Sequence, residues 1–247
     1  MKDLHNIVVL IDADNTRLSR LELVLREIST HGRIVVKRAY GNWKKVELKN
    51  WEDELKRLAI KPEQQFDYVT GKNATDMALV IDAMDLLHQK IYDAFVIVAS
   101  DSDYTPLSIK LHESGVYVMG IGELRTPESF RNSCDEFVFL ENLTAGNGEV
   151  QVADATVSSQ GSSKGRRGMD ALHKLIYTAW ESYQDDDGYA YVSAAGDFLR
   201  RAKPDFDVRS YGYSKLSTML EAYPERYAMK RIPGKGTTII VYRCRGK

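Results

Sequence analysis

The stretch Ile7-Val8-Val9-Leu10-Ile11-Asp12-Ala13-Asp14-Asn15 decides the fold class. An unbroken apolar run of this length reads as a strand buried on both faces, the mark of a parallel sheet. Asp12 closes that run and should project from the strand tip. The same arrangement returns in Phe95-Val96-Ile97-Val98, followed by Ser100-Asp101-Ser102-Asp103. A third acidic segment, Ala74-Thr75-Asp76, opens a long helical pattern. Ligands of open parallel sheets bind beyond the carboxyl ends of the strands. These acids are therefore expected to converge on one pocket.

Working outward, apolar runs at 7–11, 34–39, 66–69, 95–98, 116–121 and 137–140 read as buried strands. Helical patterns lie between them. Leu18, Leu21, Leu25 and Ile28 share one face, as do Met77, Val80, Ile81, Met84 and Leu87/His88. Leu107 and Leu111 repeat the pattern more briefly, and residues 46–59 form a more polar helix turning Leu48, Trp51, Leu55 and Leu58 inward. Strands and helices alternating at this pitch predict an α/β domain over residues 1–143, a parallel sheet with helices on both faces. Residues 144–168 are rich in Gly and Ser and lack periodicity, which predicts a flexible linker. Residues 169–247 read differently. Three short helical patterns end in two strand patterns around Pro233-Gly234-Lys235-Gly236, which predicts a small winged-helix α+β domain.

Charge separates the two halves. Residues 1–145 carry 18 Lys/Arg against 23 Asp/Glu, whereas residues 166–247 carry 15 against 10. The basic second half points to a polyanionic partner. Cys134 and Cys244 are the only cysteines. Neither a disulfide framework nor a thiolate metal site follows from two such distant residues, so a reducing cytoplasmic setting is expected. No stretch resembles a signal peptide core or a membrane span, and a soluble protein that avoids membranes is expected.

Each acid has an ordinary alternative role. Asp14 or Asn15 can cap the helix expected near Arg17. Asp76 suits the first turn of a helix by its charge, and Ser102 or Asp103 can cap the helix containing Pro106. Asp12 has the weakest alternative, because an uncompensated acid at a buried strand end is costly. Acidic tips gathered on one sheet edge repel each other unless a cation neutralises them. An all-oxygen site suits a hard divalent ion, Mg²⁺ or Mn²⁺. Lys72 is placed to hold a phosphate, and Arg38, Tyr40 and Trp43 lie near the same edge, where aromatic and basic groups together suit unpaired bases. The five histidines are scattered without ligand spacing and read as structural. Asp12-x-Asp14 also invites comparison with haloacid-dehalogenase-like phosphatases, but a helix pattern stands where those enzymes usually insert a flap.

The residues 6–143 resemble an NYN domain of the PIN-like nuclease group. The resemblance is carried by Val8-Val9-Leu10-Ile11-Asp12-Ala13-Asp14-Asn15, by Lys72-x-x-x-Asp76 and by Val98-Ala99-Ser100-Asp101-Ser102-Asp103-Tyr104. The closing Cys134-Asp135-Glu136-Phe137 completes it. It implies a metal-dependent ribonuclease with Asp12, Asp76, Asp101 and Asp103 as the catalytic and metal-binding cluster, supported by Asn15, Asp14 and Ser100. Residues 170–247 resemble a LOTUS (OST-HTH) domain in Gly188-Tyr189-Ala190-Tyr191-Val192, Tyr213-Ser214-Lys215-Leu216 and Gly234-Lys235-Gly236. That likeness implies RNA binding or docking to a protein partner.

The expected function is a two-domain endoribonuclease acting on single-stranded or loop RNA, leaving a 5′-phosphate and a 3′-hydroxyl. Lys72, Arg38 and Trp43 would contact RNA at the first domain, and Arg209, Lys215, Lys230, Arg231 and Lys235 at the second. The alternative is a non-catalytic RNA-binding regulator with a vestigial acidic pocket. The sequence leaves oligomeric state open, a homodimer included.

Overall fold

The opening apolar run forms the centre of a sheet, as its lack of alternation requires. A computed structural model describes residues 4–66, 74–143, 162–234 and 238–245, with backbone alone for 162–167. Strand β1 spans Leu4–Asp12, and from Ile7 to Asp12 its side chains are fully buried. It pairs in parallel with β2 (Gly32–Gly41) on one side and β4 (Ala94–Val98) on the other. Outside these lie β3 (Lys61–Gln64), β5 (Tyr117–Gly122) and β6 (Glu136–Phe139), all parallel, in the order β3-β2-β1-β4-β5-β6.

Side chains alternate across a strand, so β1 feeds two cores. Ile7, Val9 and Ile11 pack with α1 (Leu21–Ser29) and α2 (Trp51–Arg57) on one face. Val8 and Leu10 pack with α3 (Ala74–His88), α4 (Thr105–Glu113) and α5 (Glu128–Ser133) on the other. This is the expected three-layer α/β/α arrangement. The chain builds outward from β1 through β2 to β3, then returns to β4 and builds the opposite way. A crevice opens at such a reversal, and Asp12 and Asp101 stand at its two lips.

Three details differ from the sequence expectation. The third strand is Lys61–Gln64, not 66–69; Phe66 is 51% exposed, and 67–69 lie outside the described residues. Lys61-Pro62-Glu63-Gln64 sits at the sheet edge, where solvent exposure removes the need for an apolar run and proline is tolerated. Helix α3 turns Thr75, Leu79, Ala83 and Leu86 inward, while Met77 and Ile81 are 59% and 57% exposed. The helix is apolar on nearly every side, so its pattern did not select a face. Helix α1 starts at Leu21 after a 3₁₀ turn at Leu18–Arg20, and the 46–59 pattern divides into a 3₁₀ turn at Val46–Leu48 and α2.

The chain divides into two compact units, Met1–Ala145 and Gly146–Lys247. In the second, α6 (Ser162–Tyr183), α7 (Val192–Ala202) and α8 (Leu216–Glu221) accompany an antiparallel sheet. Its strands β7 (Ala190–Tyr191), β8 (Tyr227–Pro233) and β9 (Thr238–Cys244) run in the order β7-β9-β8. This fits a winged helix. Helix α6 begins at Ser162, inside the span read as linker; 144–161 lie outside the described residues. Leu172, Ile176, Ala179, Leu199, Leu220 and Tyr242 supply its core.

The orientation of α3 is directly testable. Leu79→Ala should lower the stability of the first unit by about 2–5 kcal/mol, whereas Ile81→Ala should change it by less than about 0.5 kcal/mol. Urea denaturation of the two variants measures both, and equal losses would contradict this placement.

Candidate active site at the carboxyl edge of the sheet

Asp12 ends β1 and has no exposed surface. Its position is fixed by backbone register, with Asp12 opposite Tyr40 and the Ala13 amide donating to the Tyr40 carbonyl at 3.0 Å. The Asp14 amide donates to Asp12 Oδ1 at 3.1 Å, and Asn15 Nδ2 donates to Asp12 Oδ2 at 2.8 Å. Asn15 thus supports Asp12 instead of capping α1. Asp14 does not cap it either: it accepts from Thr75 Oγ1 at 3.0 Å and pairs with Lys45 Nζ at 3.2 Å.

Asp76 comes from the first turn of α3, where Tyr104 donates its hydroxyl to Asp76 Oδ1 at 2.7 Å. The same hydroxyl also lies close to Asp12 and favours its charged form. Asp101 follows β4 and caps the 3₁₀ turn Ser102–Tyr104, accepting from the Asp103 amide at 3.1 Å. Helix α4, which contains Pro106, has Tyr104 at its N-cap with no side-chain cap bond, so neither Ser102 nor Asp103 caps it. Ser100 accepts from the Glu123 amide at 2.9 Å and ties the loop after β4 to the end of β5.

The electrostatics follow from this crowding. The Asp12 carboxyl is pushed up from 3.8 to about 6: burial raises it most, Asn15 and Tyr104 pull it back, and Asp76 and Asp14 repel its charge. Asp76 is also raised, first by burial and then by Asp101, Asp103 and Asp14, with Tyr104 opposing. Tyr104 itself is held protonated by burial beside Asp12 and Asp76. Asp12, Asp14, Asp76, Asp101 and Asp103 therefore share one electrostatic neighbourhood. Among the described residues, no three His, Cys, Asp or Glu are gathered tightly enough to hold a metal as they stand.

Glu123 was missed in the sequence, although it directly follows the apolar strand β5 just as Asp12 ends β1. It is buried and pairs with Arg17 Nε at 2.9 Å and Arg125 Nε at 2.6 Å, both exposed side chains. These residues line a cavity of about 420 Å³ with Asp14, Asn15 and Thr16. Arg38 and Tyr40 both bond to Asp82 of α3. Trp43 packs against Trp51 with ring centroids 6.0 Å apart. Lys72 lies outside the described residues.

In the second unit, Lys215 and Lys230 are exposed, and Lys230 Nζ sits 5.6 Å from the Tyr189 ring centre. Arg231 pairs with Glu221 at 3.3 Å, and Arg209 with Asp207 at 2.9 Å. Lys235 lies outside the described residues. His31 and His173 are buried, bonded to Glu136 at 3.2 Å and the Tyr227 hydroxyl at 2.7 Å. Cys134 and Cys244 are free and buried. No described helix is long and apolar enough to cross a membrane.

Residues 6–141 match the family model of the NYN domain, and residues 168–239 that of the OST-HTH/LOTUS domain. No curated protein matches. Among solved structures, a protein of unknown function from Vibrio parahaemolyticus RIMD 2210633 aligns over 56% of this chain and 94% of its own, at 15% identity and TM-score 0.47. An uncharacterized Nitrosomonas europaea protein aligns over 42% and 90%, at 24% identity and TM-score 0.29. A Chromobacterium violaceum fragment aligns over 31% and 82%, at 26% identity and TM-score 0.27.

Asp12 gives a pH signature. Its folded pKa lies above its ordinary value, so its contribution to stability is full below about pH 4 and is lost as pH rises through about 6. In EDTA, Asp12→Asn should be more stable than the parent by roughly 1–3 kcal/mol at about pH 8, with no such gain at about pH 4. Urea denaturation at both pH values measures it; a difference independent of pH would contradict the assignment.

Proposed function

Because the chain belongs to the NYN domain family and carries an OST-HTH/LOTUS domain behind it, we propose that it is a divalent-metal-dependent endoribonuclease with its own RNA-binding module. The observation that carries this reading is the set of hydrogen bonds that joins the three acidic segments beyond β1 and β4, Asp14 to Asp12 and to Thr75, and Tyr104 to Asp76. The donors are carboxylate oxygens, a set that fits a hard divalent cation, Mg²⁺ or Mn²⁺. Asp12, Asp76, Asp101 and Asp103 would hold it. When bound, such an ion supplies an activated water and neutralises charge on the phosphodiester.

The chain's own groups do the rest. Tyr104 keeps its proton between Asp12 and Asp76 and so holds the two acids together without itself adding charge. Asn15 orients Asp12, and Ser100 ties the Asp101 loop to β5. Arg17 and Arg125, anchored on Glu123, offer guanidinium donors to phosphates beside the acids. Fixing the strand in this way is the protein's main contribution to rate.

The second unit would bring RNA to this site. Lys215 and Lys230 are candidate phosphate contacts, joined by Arg209, Arg231 and Lys235, and the Gly/Ser-rich stretch 144–168, read as a linker, would convert binding into a raised local concentration. A protein partner for this unit is the competing role. The buried free thiols of Cys134 and Cys244 support a reducing, cytoplasmic setting. The alternative is a non-catalytic RNA-binding regulator with a vestigial acidic pocket.

One assay separates the readings. Full-length protein is incubated with labelled single-stranded RNA and a small phosphoester, in Mn²⁺ or in EDTA. Metal-dependent fragments bearing 5′-phosphates are expected, and Asp101→Asn should lower their rate at least about a thousandfold while leaving the fold intact. Binding without cutting supports the regulator, and undiminished cleavage by Asp101→Asn would falsify the catalytic assignment. Replacing Lys215 and Lys230 with Glu should weaken RNA binding and flatten its salt dependence, measured by fluorescence anisotropy; unchanged affinity assigns that face to a protein partner.

A further inference from the structure

Beside the acid cluster lies a second cavity, about 530 Å³, with apolar walls from Trp43, Val46, Leu48 and Ile60. Its volume is within the range of small-ligand sites. Four lysines, Lys44, Lys45, Lys49 and Lys56, stand among its lining residues against a single acid, Glu52. Lys45 belongs to both sites, because its Nζ also pairs with Asp14 Oδ1 at 3.2 Å. The cavity and the catalytic edge are thus neighbours.

Trp43 is held firmly. Its amide donates to Gln64 Oε1 at 3.1 Å, and its ring leans on Trp51. A Cβ added at Gly41 would come within 3.4 Å of the Trp43 ring and 3.3 Å of Ala13, the residue after Asp12. The indole Nε1 is buried and has no hydrogen-bond partner among the described residues.

These features select one ligand chemistry. A phosphate alone leaves the apolar walls uncovered, and an aliphatic chain gives the exposed Lys44 and Lys49 no anion to meet. A flat heteroaromatic ring attached to phosphate meets both demands, the ring against the apolar walls and the phosphate beside the lysines. We propose that this cavity seats one unpaired nucleobase of the RNA strand beside the cleavage position, with the lysines on its flanking phosphates. The inference rests on the ribonuclease reading and deepens it by assigning a base subsite to Trp43.

The test uses full-length protein labelled with 5-fluorotryptophan, in EDTA. Its three tryptophans are Trp43, Trp51 and Trp180, and the Trp43 ¹⁹F signal is identified by elimination from Trp51→Phe and Trp180→Phe. Uridine monophosphate should move the Trp43 signal saturably, ribose 5-phosphate should act at least about tenfold more weakly, and Trp180 should stay still. Lys49→Glu should weaken the uridine monophosphate response. A Trp43 signal that stays fixed, or that responds equally to both compounds, overturns the base subsite. Because neither metal nor cleavage enters this measurement, an inactive nuclease and a missing subsite give different results.

Discussion

A carboxylate buried at the end of the central strand is the constraint on which the first unit depends. Asp12 cannot retreat, because the parallel register on both sides of β1 fixes its backbone. It cannot reach water, because no part of it is exposed. Its neighbours give it hydrogen bonds but no neutralising charge: Asn15 and the Asp14 amide donate, and Tyr104 lies close. Burial of an acid without a counter-ion shifts it toward its neutral form. The pocket is therefore poised to gain from a cation, and the nuclease reading grows out of that imbalance.

The contrast with other acids in the same unit sharpens the point. Asp82 lies farther along α3 than Asp76, yet it is matched by Arg38 and Tyr40. Glu123 is buried like Asp12, yet two arginines hold it. These acids are balanced locally and build structure. Those at the crevice crowd one another, and the topological reversal between β1 and β4 brings them together. The cationic groups are ranged around them: Arg17 and Arg125 on one side, Lys45 and its neighbouring lysines on the other. A polyanionic strand crossing this edge would meet positive charge before and after the acids.

The second unit is built on different terms. Its core joins three helices to a small sheet, with the Tyr242 hydroxyl donating to the Ile176 carbonyl at 3.0 Å and buried His173 bonded to Tyr227. Exposed lysines remain on its surface, whereas Arg209 and Arg231 have acidic partners. Such an arrangement suits contact with phosphate without close reading of bases.

The sequence alone determined the fold class, because a parallel sheet buried on both faces requires long apolar runs, and β1 and β4 can be read from no other pattern. It also placed Asp12, Asp76, Asp101 and Asp103 near strand tips and a helix start, since these are local features. Where burial is one-sided or all-sided, local pattern fails. The edge strand Lys61–Gln64 needed no apolar run, and α3, apolar all round, gave no sign that Leu79 rather than Ile81 would turn inward. Partnerships across the chain were equally hidden: Tyr104 with Asp76, Lys45 with Asp14, Glu123 with Arg17 and Arg125. Such pairs depend on which strand ends the sheet order makes adjacent. Distance through space, not along the chain, governs electrostatic energy, so only the tertiary structure decided which charged side chains meet.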